Sequence, residues 1–185
     1  MAHRISPVDL IRLWVFRSLW SIAFIFIWFG DSFSQNGFLI SGYMVDFDKK
    51  DTLVHGTVTA VDIGDSTFQL LSEVGKDGFL ITLPFDRVMH VVFSSPDHVT
   101  KLIEIDTRNV EIRDQRTGFG MNMSVAMVTP LPEVDYSILE LPFGICIYKS
   151  RKGFSWDKKH LKTMQPRQMA LIERHRAKRR ELGLE

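Results

Sequence analysis

Along the middle of the chain, apolar and polar residues alternate with the period of two that a half-buried strand imposes. Residues 53–61 (Leu-Val-His-Gly-Thr-Val-Thr-Ala-Val) are rich in β-branched side chains and predict a strand, with Gly64-Asp65 as the turn behind it. Segments 67–74, 79–83, 87–93, 101–105, 109–113, 120–128 and 144–148 carry the same short-strand signature, separated by Gly, Pro and Asp. Gly75-Lys76-Asp77-Gly78 reads as the hairpin connection between 67–74 and 79–83, while Pro130, Pro132 and Pro142 punctuate the approach to the last strand. No helix-length periodic stretch interrupts the series. The expected fold is therefore mainly β, a small bent antiparallel barrel or sandwich over 31–148. Beyond it, 149–185 is a polar, basic tail. Pro166 there reads as the first turn of a helix over 167–182, with Met169, Leu171 and Ile172 as a narrow apolar stripe.

The amino-terminal pattern differs. Ser6-Pro7 reads as an N-cap followed by Pro at the first helical position, and residues 18–29 carry no charge. Extended back across Arg17 to Leu10, the apolar stretch would form about 30 Å of helix, the thickness of a bilayer's hydrocarbon core. Trp14 and Trp28 lie near its two ends, where aromatic rings settle at a membrane interface, and Arg17 is close enough to one end to snorkel. Residues 1–30 are thus expected to be a single-pass membrane anchor, with Trp14, Arg17, Trp20 and Trp28 as its anchoring residues. A cleaved secretory signal, with Gly30 and Ser32 at the cleavage site, and a core helix of an oligomer remain open alternatives. Three arginines (Arg4, Arg12 and Arg17) precede the uncharged run 18–29, whereas the near flank after it holds only Lys49 and Lys50. That asymmetry favours the amino end in the cytoplasm and the β-domain on the outer, periplasmic side, with the opposite orientation left open.

Charge changes the picture once it is mapped along the chain. The total is +1, from 23 basic and 22 acidic residues. Yet 31–135 holds 8 basic against 16 acidic residues, and 136–185 holds 12 basic against 5 acidic ones. The overall balance excludes a uniformly basic nucleic-acid binder. The segregation predicts complementarity within the protein or between subunits. A single cysteine, Cys146, excludes an intrachain disulfide framework and a multi-cysteine zinc site.

Within 52–93, Val54-His55-Gly56-Thr57-Val58-Thr59-Ala60-Val61-Asp62, then Phe68-Gln69-Leu70-Leu71 and Ile81-Thr82-Leu83-Pro84-Phe85-Asp86-Arg87-Val88-Met89-His90-Val91-Val92, resemble the strand motifs of Sm-like and SH3-like small β-barrels. The resemblance implies a small bent barrel. The RNA-binding Asn/Asp-Asn and Arg-Gly signatures of Sm-like proteins are absent here, so no RNA-binding residue carries over. The same residues also fit a bacterial pleckstrin-like sheet.

Candidate chemistry is sparse. The six histidines (His3, His55, His90, His98, His160, His175) lack metal-ligand spacing, and no nucleophile elbow or phosphate loop occurs. Asp62 and Asp65 flank Gly64 as turn residues do, and Cys146 sits in an apolar run. Met121, Met123 and Met127 share one strand face, a pattern that suits Cu(I) or, more commonly, core packing and adaptable partner contacts. Arg174, Arg176, Lys178, Arg179 and Arg180 crowd the tail without interleaved aromatics, which disfavours single-stranded nucleic acid. The expectation is a non-enzymatic accessory or scaffold subunit of a membrane-embedded complex, without cofactor or metal. Its partners would be the lipid bilayer and other membrane-protein subunits, met through Arg174, Arg176, Lys178, Arg179, Arg180, Met121 and Met123. The alternative is an Sm-like oligomeric module contacting nucleic acid through the tail.

Overall fold

The computed structural model describes residues 37–116 and 118–184. The expected membrane anchor at 1–30, with Trp14, Arg17, Trp20 and Trp28, lies outside the described residues. Among the described residues no helix is long and apolar enough to cross a membrane.

Strand β1 (Phe38–Asp46) organises the first sheet. Phe38, Ile40 and Met44 point into the core, and Tyr43 points to solvent. On one side it pairs in parallel with β8 (Phe119–Met127) along its whole length. On the other it pairs antiparallel with β5 (Phe79–Leu83) and, near its end, with the short β2 (Thr52–Leu53). Gly42 is required at the crossing of these strands. Its φ is +150°, and a Cβ there would lie 1.8 Å from the Met123 carbonyl oxygen.

The second sheet has six strands in the order β10 (Gly153–Trp156), β9 (Ile145–Lys149), β7 (Lys101–Asp106), β6 (Val88–Ser94), β3 (Thr57–Asp62) and β4 (Gln69–Glu73). Its pairings are antiparallel except β7 with β9. Val58 and Ala60 of β3, Met89, Val91 and Phe93 of β6, and Ile103 and Ile105 of β7 share one buried cluster with the inner face of β1. Thr107 adds a polar staple: its hydroxyl donates to the carbonyls of Pro84 and Arg87, 2.8 and 3.0 Å away.

The fold is mainly β, in two sheets, but the barrel expectation is corrected. Among the described residues β4 pairs only with β3 and β10 only with β9, so the second sheet keeps two edges and does not close. The segments resembling Sm-like strands become β3 and β6, side by side, and β5, in the other sheet. The Gly75–Gly78 turn forms as an antiparallel bridge with reciprocal hydrogen bonds of 3.0 Å, but the pairing does not extend into β4 and β5. The strands it joins pair in different sheets, so the turn passes the chain from one sheet to the other. Residues 109–113 are not a strand. Asn109 takes a positive φ of 63°, and a short helix α1 (Ile112–Gln115) follows.

Two corrections concern the tail. The β-structure does not stop at 148 but continues through β9 and β10 to Trp156. Helix α2 (Lys158–Glu181) then begins eight residues before Pro166, capped by the Asp157 carboxylate, which accepts from the Lys159 N–H at 2.9 Å. Pro166 therefore lies inside the helix rather than in its first turn.

Candidate functional site

At 3.6 residues per turn, Leu161, Met164, Gln168, Leu171, Ile172, His175, Lys178 and Arg179 fall on one stripe of α2, roughly 120° wide. All are buried or half-buried, so this stripe is the seam by which the helix docks on the β-domain. Burying Met164 and Leu171 supplies the apolar part, about 1.5–3 kcal/mol for each side chain.

The rest of the seam is polar. His160 Nε2 lies 2.7 Å from the Pro142 carbonyl, and the Gln168 amide donates to the Phe143 carbonyl at 3.3 Å. His175, 1% exposed, sits between two groups of the β-domain. The Tyr136 hydroxyl is 2.8 Å from Nδ1, and the Asp48 carboxylate oxygens are 3.2 and 3.1 Å from Nε2. A carboxylate only accepts, so Nε2–H donates to Asp48. Tyr136 also accepts the Leu131 N–H at 3.1 Å, so its hydroxyl ties the histidine to the 131–136 loop. Arg179 Nη1 completes the chain, 3.1 Å from Asp48 Oδ2. Burial and the Asp48 carboxylate raise the Tyr136 phenol above its ordinary pKa. Both imidazole nitrogens are occupied, so the cluster is a fastening and leaves no ring atom for a substrate.

Beneath the helix, where the end of β8 meets the start of β7, lies a mainly apolar cavity of about 150 Å³. Phe47, Leu139, Phe143, Leu171 and Ile172 wall it. Lys101 enters from β7 and donates to the Ala126 carbonyl. Burial among apolar side chains lowers its ammonium pKa from 10.5 to about 8. Among the described residues no carboxylate forms an ion pair with it.

The five basic residues predicted to meet a partner divide. Lys178 turns into the seam, 2.6 Å from Glu133 and 2.8 Å from Glu181, and Arg179 binds Asp48. The Lys178 ammonium holds Glu133 below the usual carboxylate range. Arg174, Arg176 and Arg180 are exposed, and Arg176 leans over the Phe47 ring at 5.8 Å. Lys158, Lys159, Lys162 and Arg167 continue the exposed basic face, against only Glu173 and Glu181 on the same arc. Met169, expected in the apolar stripe, is 48% exposed and lies outside the seam. Met121 and Met123 are partly buried and pack against the main core beside β1.

The other candidates serve structure. Asp62 Oδ1 accepts the N–H groups of Gly64 and Asp65 at 2.7 and 3.1 Å, while Oδ2 meets Arg87 at 2.5 Å. Arg87 thereby holds the Asp62 carboxyl below its ordinary pKa. His98 pairs with buried Asp46 at 3.2 Å, and His90 lies 3.5 Å from Glu104. Cys146 is fully buried in the core, which pushes its thiol up to about 12. Among the described residues no group of three His, Cys, Asp or Glu could hold a metal ion.

Sequence reasoning did not single out Asp48, Lys101, Tyr136 or His175. His175 sits in Arg-His-Arg-Ala-Lys-Arg-Arg, a run that reads as solvated, and only the helix register shows that it faces inward.

No protein-family model and no curated protein matches the chain. Among solved structures it is similar to a pilus 2b backbone protein of group B streptococcus, at 13% identity and a TM-score of 0.35. That likeness covers 51% of this chain and 41% of the pilus protein, so the chain spans well under half of its length. It is also similar to the dioxygenase domain of a carbohydrate-binding fusion protein from Streptomyces sp. SirexAA-E, at 16% identity and a TM-score of 0.30. The shared part is 52% of this chain and 85% of that domain, and neither likeness bears on activity.

Proposed function

We propose that the protein is a non-enzymatic accessory subunit of a membrane-embedded complex. Its apolar amino-terminal segment anchors it, and the β-domain on the outer side presents helix α2 to an acidic surface of a neighbouring subunit. The observation that carries this reading is the two-faced helix. One arc is clamped to the β-domain through His175, Lys178 and Arg179, while the other exposes seven cations against two carboxylates. A rigidly held basic face of this kind favours an acidic protein partner through electrostatic complementarity. Nucleic acid is the weaker reading, because the arc presents no aromatic side chain for stacking.

The test is mild solubilisation of the full chain from native membranes, followed by native electrophoresis and identification of co-migrating chains. The parent should migrate in an assembly with other subunits. The Lys162→Glu/Arg167→Glu/Arg174→Glu variant should migrate alone, with an unchanged thermal midpoint. A monomeric parent, an assembly indifferent to the three reversals, or RNA in place of protein in the assembly overturns the proposal.

A further inference from the structure

The cavity beneath α2 combines a single amine with apolar walls. Of three donors on Lys101 Nζ, one is given to the Ala126 carbonyl. The other polar groups on the lining are committed elsewhere. Tyr136 and His175 hold each other, and the Gln168 amide donates to the Phe143 carbonyl. An ammonium in such surroundings is complemented by one negative charge on an otherwise apolar body. A dianionic phosphate would need several cations or backbone N–H groups, and the lining offers one cation. Size narrows the class further. A cavity of about 150 Å³ matches the space that an apolar protein pocket gives a single benzene ring.

We infer that this cavity is a binding site for a small apolar monocarboxylate of about benzoate size, its carboxylate on Lys101 Nζ and its ring between Phe47, Phe143, Leu171 and Ile172. The site stands apart from the basic outer face of α2, so it does not depend on the partner proposed for that face. Its position under the helix gives the ligand contacts to both α2 and the β-domain. Occupancy therefore favours the docked helix.

Equilibrium dialysis of radiolabelled benzoate against the full chain in lipid nanodiscs, with empty nanodiscs as blank, tests the assignment. One benzoate should bind per chain, and the neutral analogue benzyl alcohol should bind at least about tenfold more weakly. Lys101→Met removes the charge and keeps the length of the side chain, and it should lower benzoate affinity at least about tenfold. Raising the pH from 7 to 10 should weaken benzoate binding to the parent, because the amine loses its proton while the carboxylate stays ionised. Ile172→Phe, which fills the cavity and leaves Lys101 in place, should abolish binding and thereby separates occupancy of the cavity from attraction to surface charge. Equal binding of benzyl alcohol and benzoate, no loss in Lys101→Met, retained binding in Ile172→Phe, or no binding to the parent up to about 10 mM overturns it.

Discussion

Asp48 fastens the helix seam at two points, since it answers both His175 Nε2–H and the Arg179 guanidinium while its side chain is 8% exposed. Removing its carboxylate leaves a buried imidazole N–H without an acceptor, and leaves the half-buried guanidinium with the Leu184 carbonyl alone. Losing one partner from a buried polar cluster costs more than the net worth of the bonds, because the groups left behind stay desolvated. Asp48→Ala should therefore destabilise the protein by about 2–4 kcal/mol in urea unfolding. Asp48→Asn, which keeps one acceptor oxygen, should cost about half as much. A loss below about 0.5 kcal/mol for Asp48→Ala would show that the helix is held by its apolar contacts alone. None of this was legible beforehand. Asp48 stands in Asp-Phe-Asp-Lys-Lys-Asp, a run that reads as a solvated turn, and its partners lie 127 and 131 positions away. Local pattern carries no information about a contact of that separation. Asp62 is the opposite case. Its bonds to Gly64 and Asp65 are local, and the turn was readable from Asp-Ile-Gly-Asp.

Among the elements, period-two alternation located β3 to β9, because one face of each strand is buried and the other is wet or half-covered. It did not assign strands to sheets. The Gly75–Gly78 turn has hairpin chemistry, yet β5 pairs with β1, a strand that no pattern had singled out because Ser41 and Gly42 interrupt its apolar run. Helix α2 shows a different failure. Pro166 has a strong local preference for a first turn, but Asp157 supplies the cap and the apolar seam begins at Leu161, so tertiary packing overrides the proline. Proline at 166 has no N–H to give the Lys162 carbonyl, and its ring crowds that oxygen. Pro166→Ala restores the bond, and it should raise stability by about 1–3 kcal/mol in thermal unfolding. A lower midpoint in the variant would mean that the helix must bend at this point to seat both Met164 and Leu171.

The whole molecule joins an acidic β-domain to a basic helix, and its charge balance shapes stability at both ends of the pH scale. Among the described residues hydrogen bonds and cations hold six carboxyls below their ordinary values: Asp62 by Arg87, Asp65 by Thr67, Asp106 by Arg108, Glu133 by Lys178, Asp135 by Ser137, and Asp46 by the Lys49 N–H and His98, which together outweigh its burial. The unfolded chain binds protons there first, so their contribution is complete above about pH 5 and is lost as the pH falls through about 4 and below. Lys101 acts in the opposite direction. Its folded pKa of about 8 lies under the unfolded 10.5, so between these values the unfolded state holds a proton that the folded state has released. Stability should therefore rise with pH from about 8 to about 10. Above that, Tyr136 and Tyr148 take the gain back, because their phenols are held above 10.0 in the fold and the unfolded tyrosines ionise first. Lys101→Met removes the half-buried cation. In urea unfolding across this range the variant should show no rise between pH 8 and 10, and it should exceed the parent at pH 7 by about 1–3 kcal/mol. Parallel curves for parent and variant would place the Lys101 ammonium in solvent. A rise confined to the parent would show that the cavity keeps an unneutralised cation at neutral pH. That cost is the free energy an apolar carboxylate, bound against Lys101, would offset.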